Sequence, residues 1–323
     1  MELKEIYKPI RAELEEVETL ILKIAHESLF IRKELTNIFS AKGKRVRPAI
    51  LLFISKHYNV KGKAPIILAT AVELLHTASL LHDDVIDNAD LRRGKPSFHK
   101  FWGEDITVLL GDFLYVKAIN LVLKSANPYI IKALSKSASQ MVEGEIEEVK
   151  KRGNLNLKIK EYLSILEKKT ASLFSASAEI GGLLGNAPEK ELKALKNFGN
   201  NIGISFQLID DLLDIISTEE ELGKPILSDL REKKPTLPLI YLLRKNENDI
   251  RKKVKWIFED GGFIRVKKEE IIDLVLNNGA KEFTLKKAEF FRKRAIESLK
   301  ILKPSPFIDS LNYLANYVIS RRW

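Results

Sequence analysis

Apolar residues recur at three- and four-residue spacings over most of the chain, and sustained strand-type alternation is absent, so the pattern predicts a mainly α protein. Glycine- and proline-bearing breaks fall near Gly43 to Pro48, Lys61 to Pro65, Arg93 to Pro96, Gly153 to Asn156, Gly185 to Pro188, Gly223 to Pro225, Lys233 to Pro238, Gly261 to Gly262 and Pro304 to Pro306. They leave roughly ten or more helices, most of them longer than about ten residues. No repeat of solenoid period and no low-complexity linker marks a domain boundary. The expected architecture is an all-α, single-domain helical bundle over residues 1–323, with a central cavity.

Two predicted helices carry charge where the apolar pattern would place core. Leu80-Leu81-His82-Asp83-Asp84-Val85-Ile86-Asp87 ends an apolar run on three carboxylates, and the i, i+4 spacing puts Asp83 and Asp87 on one face. The pattern returns at Gln207-Leu208-Ile209-Asp210-Asp211-Leu212-Leu213-Asp214, with Gln207, Asp210 and Asp214 on one face. Stacked like charges beside apolar residues need a compensating cation. Mg2+ suits them, because it takes one or two carboxylates and completes its shell with water and phosphate oxygens. Two clusters serving one substrate must face each other across a shared cavity.

Basic and polar residues accompany both clusters. Asp90-Leu91-Arg92-Arg93-Gly94-Lys95-Pro96 presents two guanidinium forks suited to phosphate oxygens. Gly43-Lys44-Arg45-Val46-Arg47-Pro48 opens a helix, where anions bind well. His76 lies two helical turns before Asp83. Lys168, Lys169 and Thr170 interrupt a helix whose continuation, Leu173 to Ile180, is rich in small residues, and one of the two lysines is expected to face inward. Gly223-Lys224-Pro225 and Asp229 to Pro238 read as a lid able to bring lysines over a phosphate.

Composition narrows the choice. The net charge of +10 and a pI near 9.4 call for an anionic partner: nucleic acid, a lipid surface or a phosphorylated small molecule. Runs such as Arg251, Lys252, Lys253 and Lys255 read as solvated helix faces, and no basic helix combines with aromatics in a nucleic-acid motif. The absence of cysteine excludes disulfides, thiolate nucleophiles and cysteine zinc sites. Met1 to Glu16 lacks a signal-peptide core, and Ile66 to Leu81, interrupted by Glu73 and His76, is short for a bilayer span. The expectation is a cytoplasmic protein with at most peripheral membrane contact for product release.

With these residues in view, the chain resembles the trans-isoprenyl (polyprenyl) diphosphate synthases, long-chain type. The likeness rests on six motifs in that family's order: Gly-Lys-x-x-Arg-Pro, the first aspartate-rich helix with its Arg-Arg-Gly, Lys-Thr, Phe206-Gln207 with the second aspartate-rich helix, Gly-Lys-Pro, and Lys-Pro-Thr-Leu-Pro. The resemblance implies an isoprenoid-synthase bundle, a homodimer and a transferase that joins isopentenyl diphosphate head-to-tail to an allylic diphosphate such as farnesyl or geranylgeranyl diphosphate. It implies that Lys44, Arg47, His76 and Arg93 hold isopentenyl diphosphate. Arg92, Lys169, Thr170, Gln207, Lys224 and Lys234 then serve the allylic diphosphate. Asp83, Asp87 and Asp210 bind Mg2+, with Asp84, Asp211 and Asp214 as further candidate ligands. Lys233 stands where relatives often have glycine, which leaves open whether Lys233 or Lys234 makes the lid contact.

Ala78 and Ser79 precede Asp83 by about one turn, some 5.4 Å of helix, and in the family an aromatic there stops chain growth early. Both are small, so a product of six or more isoprene units is expected, of the kind used for quinone side chains, with geranylgeranyl diphosphate as the alternative. A terpene cyclase would have no use for Lys44, Arg47 and His76, and a regulatory subunit would commonly have lost one of the aspartate motifs.

Overall fold

Helix after helix forms where the periodicity predicts, and one of them threads every part of the core. The computed structural model describes residues 2–40, 43–92, 94–223, 225–245 and 248–320, apart from the side chain of Arg92. Arg93, Lys224, Arg321 and Arg322 therefore lie outside the described residues.

Short α1 (Leu3–Ile6), α2 (Arg11–Glu27) and α3 (Arg32–Ser40) lead into α4 (Val46–His57) and α5 (Ala64–Ile86). A two-residue ribbon, β1 (Leu91–Arg92) paired antiparallel with β2 (Lys95–Pro96), interrupts the helices. Then come α6 (Phe98–Trp102), α7 (Glu104–Leu123), α8 (Pro128–Lys151) and α9 (Ile159–Leu166). A π-helical turn, Glu167–Ala171, joins α9 to α10 (Ser172–Leu184), and α11 (Glu189–Ile216) follows. The chain closes with α12 (Glu219–Leu222), α13 (Ser228–Arg231), α14 (Leu237–Arg244), α15 (Asn248–Asp260), α16 (Lys268–Asn277), α17 (Ala280–Leu299) and α18 (Pro306–Ser320).

Local chemistry explains the important starts and crossings. Asn127 caps α8 by accepting hydrogen bonds from the backbone N–H groups of Tyr129 (3.0 Å) and Ile130, with Pro128 at the first helical position. Ile130, Ala133, Leu134, Ser137 and Ala138 then bury one face at helical spacing. On α11, Leu195, Phe198 and Ile202 join the largest apolar cluster, Ile204, Leu208 and Ile209 a second, and Leu212 and Ile215 a third.

The α10–α11 crossing is set by glycine. A Cβ on Gly199 would fall 2.4 Å from the Phe174 carbonyl oxygen, and one on Gly203 would fall 2.6 Å from Ala171 Cα. Two backbones that nearly touch leave no lateral freedom, so Gln207, one turn beyond Gly203, is delivered beside Thr170.

The helix that carries the first aspartates is longer than its apolar stretch suggests. By length and composition α5 and α7 could each cross a membrane, but two-thirds of the α5 window (67%) is buried inside the protein, as in a core helix.

Candidate active site

Four elements converge on one mouth: the end of α5, the second half of α8, the π turn with the start of α10, and the middle of α11. Asp83, Asp87 and Asp210 are half-buried there, whereas Asp84, Asp211 and Asp214 are buried. The six aspartates thus divide by burial, and two of the buried three, Asp211 and Asp214, are tied to neighbours within the protein.

Asp214 accepts hydrogen bonds from Ser228 Oγ at 2.6 Å and from the Asp229 backbone N–H at 3.2 Å, so it ties down the start of α13. Asp211 accepts from Gln207 Nε2 at 2.8 Å and from the Tyr162 hydroxyl. Gln207 in turn accepts from Thr170 Oγ1 at 3.0 Å. Burial pushes the Asp211 carboxyl up to about 7 against the two hydrogen bonds it accepts, and Asp210 and Glu148 nearby add to the rise.

The half-buried acids meet a ladder of cations. Asp87 takes Arg152 on one oxygen and Lys234 Nζ on the other at 2.7 Å. Lys234 also lies 2.8 Å from Glu232 and 3.6 Å from Glu148. Lys169 Nζ stands 2.5 Å from both Glu145 and Glu148, so Glu148 bridges the two lysines. Burial alone lowers the pKa of Lys169, but Asp83, Glu148 and Glu145 outweigh it and raise the value. Lys234 is raised in the same way by Glu148, Glu232 and Asp87. Glu145 is pushed up to about 7, first by burial and then by Asp83, against the pull of Lys169. Glu148 moves down despite burial, because Lys169 and Lys234 both face it.

The π turn explains why Lys169 and not Lys168 faces inward: the widened backbone turns Lys168 out to Glu147 at 3.0 Å. A similar choice is made in the lid. Lys233 is exposed and holds a left-handed conformation at φ 61°, the region glycine adopts without strain, while Lys234 points into the mouth. Lys233 thus occupies a backbone position that would suit glycine.

On the far wall, the Arg47 guanidinium lies 4.4 Å from the Phe174 ring centroid, and its Nε has no hydrogen-bond partner among the described residues. Burial lowers the Arg47 pKa to about 10, with Glu73 and Asp210 pulling it back up. The Lys44 carbonyl accepts from the Tyr7 hydroxyl at 2.9 Å. Arg45 is fixed by Glu18, at 2.5 and 3.1 Å, and by Glu73. His76 is half-buried on α5.

Loops close the rim. The Gly94 backbone N–H donates to the Gly223 carbonyl at 2.5 Å, and that of Gly153 donates to the Lys233 carbonyl at 2.8 Å. A cavity of about 100 Å³ opens among Glu148, Lys169, Thr170, Gln207, Asp211 and Lys234. A larger one, about 400 Å³, lies against α3 and α6 and borders Asp84 but not Asp83, Asp87 or Asp210. Ala78 is buried in the large apolar cluster and Ser79 is half-buried, its Oγ donating to the His76 carbonyl at 2.9 Å. Neither lines these two cavities.

Several participants escaped the sequence reading. Glu145 and Glu148 sit in an acidic run that looks solvated, Tyr162 lies two turns before Lys169, and Arg152 sits at a helix end with no motif around it.

This fold and mouth define an all-α synthase with facing aspartate-rich helices, and residues 29–275 match the model of the family described as polyprenyl synthetase. The chain belongs to the polyprenyl synthetase family, whose members include prenyl transferases. It is 33% identical over 284 residues to the octaprenyl diphosphate synthase of Escherichia coli (strain K12), with 88% of each chain covered. It is 36% identical to the geranylgeranyl diphosphate synthase of Saccharolobus solfataricus, covering 88% of this chain and 89% of the relative. Among solved structures, the polyprenyl synthase from Caulobacter crescentus CB15 complexed with calcium and isoprenyl diphosphate superposes with a TM-score of 0.95 at 31% identity, covering 100% and 98%.

Proposed function

We propose that the chain joins isopentenyl diphosphate head-to-tail to an allylic diphosphate, with Lys44, Arg47, His76 and Arg93 serving the first and Arg92, Lys169, Thr170, Gln207, Lys224 and Lys234 the second. The observation that carries this reading is the ion ladder in which Glu148 bridges Lys169 and Lys234, because it joins the end of α5 at Asp87 to the lid, to α8 and to the π turn.

The donor set fits Mg2+. Asp83, Asp87 and Asp210 are carboxylates partly open at the mouth, and among the described residues no three acids or histidines converge on one point. That sparse arrangement suits an ion whose remaining ligands are water and substrate phosphate. When bound, Mg2+ would neutralise charge on the departing diphosphate.

The chain's own residues do the rest. Lys169 and Lys234 hold the diphosphate as its bond to the allylic carbon breaks, and they are kept protonated by the acids around them. Thr170 and Gln207 border the carbon that becomes positive. Arg47, largely desolvated beside Phe174, fixes the second diphosphate so that its double bond faces that carbon. A carbon–carbon bond forms and a proton leaves to the released pyrophosphate. The apolar interior keeps water away from the cation.

We further propose that residues 1–323 form one catalytic domain, supported by the way α11 joins all three apolar clusters. Outward apolar residues on α7 and α8, among them Leu109, Val116 and Val142, support a homodimer. The small Ala78 and Ser79 and the likeness to octaprenyl diphosphate synthase support a long-chain product for quinone side chains, made in the cytoplasm. Geranylgeranyl diphosphate is the second reading, favoured by the likeness to the Saccharolobus enzyme. Asp83→Ala and Asp210→Ala are expected to lower turnover by a factor on the order of hundreds or more while the fold survives. Near wild-type turnover of either at saturating Mg2+ contradicts the metal assignment.

A further inference from the structure

We infer that Tyr162 and Asp211 are positioning residues that fix which end of the Gln207 amide faces the reacting carbon, and that Asp211 is not a metal ligand. The inference rests on the proposed reading of Thr170 and Gln207 as the wall beside that carbon.

Both Asp211 oxygens accept a hydrogen bond inside the protein: Oδ1 from Gln207 Nε2 at 2.8 Å and Oδ2 from the Tyr162 hydroxyl. The Gln207 NH2 end must therefore turn toward Asp211. The Oε1 end is left on the opposite side, where Thr170 Oγ1 donates to it at 3.0 Å and a second lone pair remains. This aims the negative end of the amide dipole at the Lys169–Thr170 wall. A dipole already oriented there stabilises developing positive charge without reorganisation. Loss of the relay lets the amide rotate and offer its NH2 group, whose partial charge has the wrong sign.

Packing makes the relay rigid. Tyr162 is buried among Leu157, Leu166, Leu208 and Leu237, and Asp211 is only 5% exposed. The Gly199 and Gly203 contacts lock α11 against α10, so Gln207 and Thr170 cannot drift apart. The Asp211 oxygens are buried and face Gln207 and Tyr162 inside the protein, whereas Asp210 beside it is half-buried at the mouth, where an ion could reach it.

The test uses full-length Tyr162→Phe, Asp211→Asn and Gln207→Leu proteins with isopentenyl diphosphate, an allylic diphosphate and Mg2+. Tyr162→Phe and Asp211→Asn should each lower kcat on the order of tenfold, the loss of a single well-aligned interaction, with KM for isopentenyl diphosphate unchanged. Their combination should be no worse than the more severe single change, because both act through one chain of hydrogen bonds. Mn2+ binding in the presence of pyrophosphate, followed by electron paramagnetic resonance, should be the same in Asp211→Asn as in wild type. Weakened Mn2+ binding in Asp211→Asn overturns the inference, and so does wild-type kcat in Tyr162→Phe when Gln207→Leu is impaired. Wild-type kcat in Gln207→Leu overturns the site reading and the relay together. Should Asp211→Asn not fold, the isosteric Tyr162→Phe decides alone.

Discussion

Gly144→Ala adds one methyl group where α8 crosses the π turn, and the geometry says what that methyl meets. Its Cβ would lie 2.5 Å from the Lys169 backbone nitrogen and 2.9 Å from Lys169 Cα. Unstrained contacts between carbon atoms need about 3.5–4.0 Å, so the two backbones must separate by about 1 Å. No rotamer change relieves backbone atoms. Overpacking of this kind costs about 1–3 kcal/mol, offset by the roughly 0.8–1.0 kcal/mol that alanine gains over glycine within a helix. The net loss, on the order of 1 kcal/mol, should lower Tm by only about 2–4 °C. Activity should suffer far more, because Lys169 moves with its backbone, and misplacing a binding group by about 1 Å costs on the order of a hundredfold. Gly62→Ala is the control: φ there is +85° and nothing lies within 4 Å of the added Cβ, so it pays only the backbone strain, about 1–2 kcal/mol. Melting curves should be lowered in both variants, while kcat for the first condensation should fall in Gly144→Ala alone. Wild-type kcat in Gly144→Ala would falsify the claim that this crossing sets the position of Lys169.

Two more outcomes follow from the same mouth. Lys233→Gly should raise stability by about 1 kcal/mol and keep full turnover, since it relieves a left-handed residue, whereas Lys234→Ala should lower kcat/KM for the allylic substrate at least about tenfold. Chemical denaturation and steady-state kinetics on the pair check both, and the reverse order of effects refutes the assignment of Lys234 to the mouth. Ala78→Phe or Ser79→Phe should shorten the dominant product while sparing the first condensation; chromatography that shows wild-type chain length in both folded variants contradicts the tunnel.

Much of the fold was legible because helical periodicity is a local signal. Each glycine- or proline-bearing break read from the sequence falls at or beside a helix end or loop among the described residues. The ribbon at residues 91–96 was not legible, since two-residue strands leave no alternation to read. At the site, i, i+4 spacing grouped Asp83 with Asp87 and Asp210 with Asp214, yet Asp214 turns to cap α13. Spacing defines a helix face but not which neighbour covers it. Glu145, Glu148 and Arg152 were hidden for the same reason: their partners Lys169, Lys234 and Asp87 are distant in sequence, and only the tertiary crossing brings them together. At Lys233 the left-handed backbone was not legible either, since lysine gives no local signal for positive φ.

The decisive measurement is incubation of the purified protein with radiolabelled isopentenyl diphosphate, farnesyl diphosphate and Mg2+, followed by dephosphorylation and chromatography. Label should enter an all-trans polyprenyl chain of six or more isoprene units, only with Mg2+ present, and should be lost from product in Asp83→Ala. Label that stays in isopentenyl diphosphate with the folded wild-type protein, or that enters product equally well in Asp83→Ala, contradicts the proposed function.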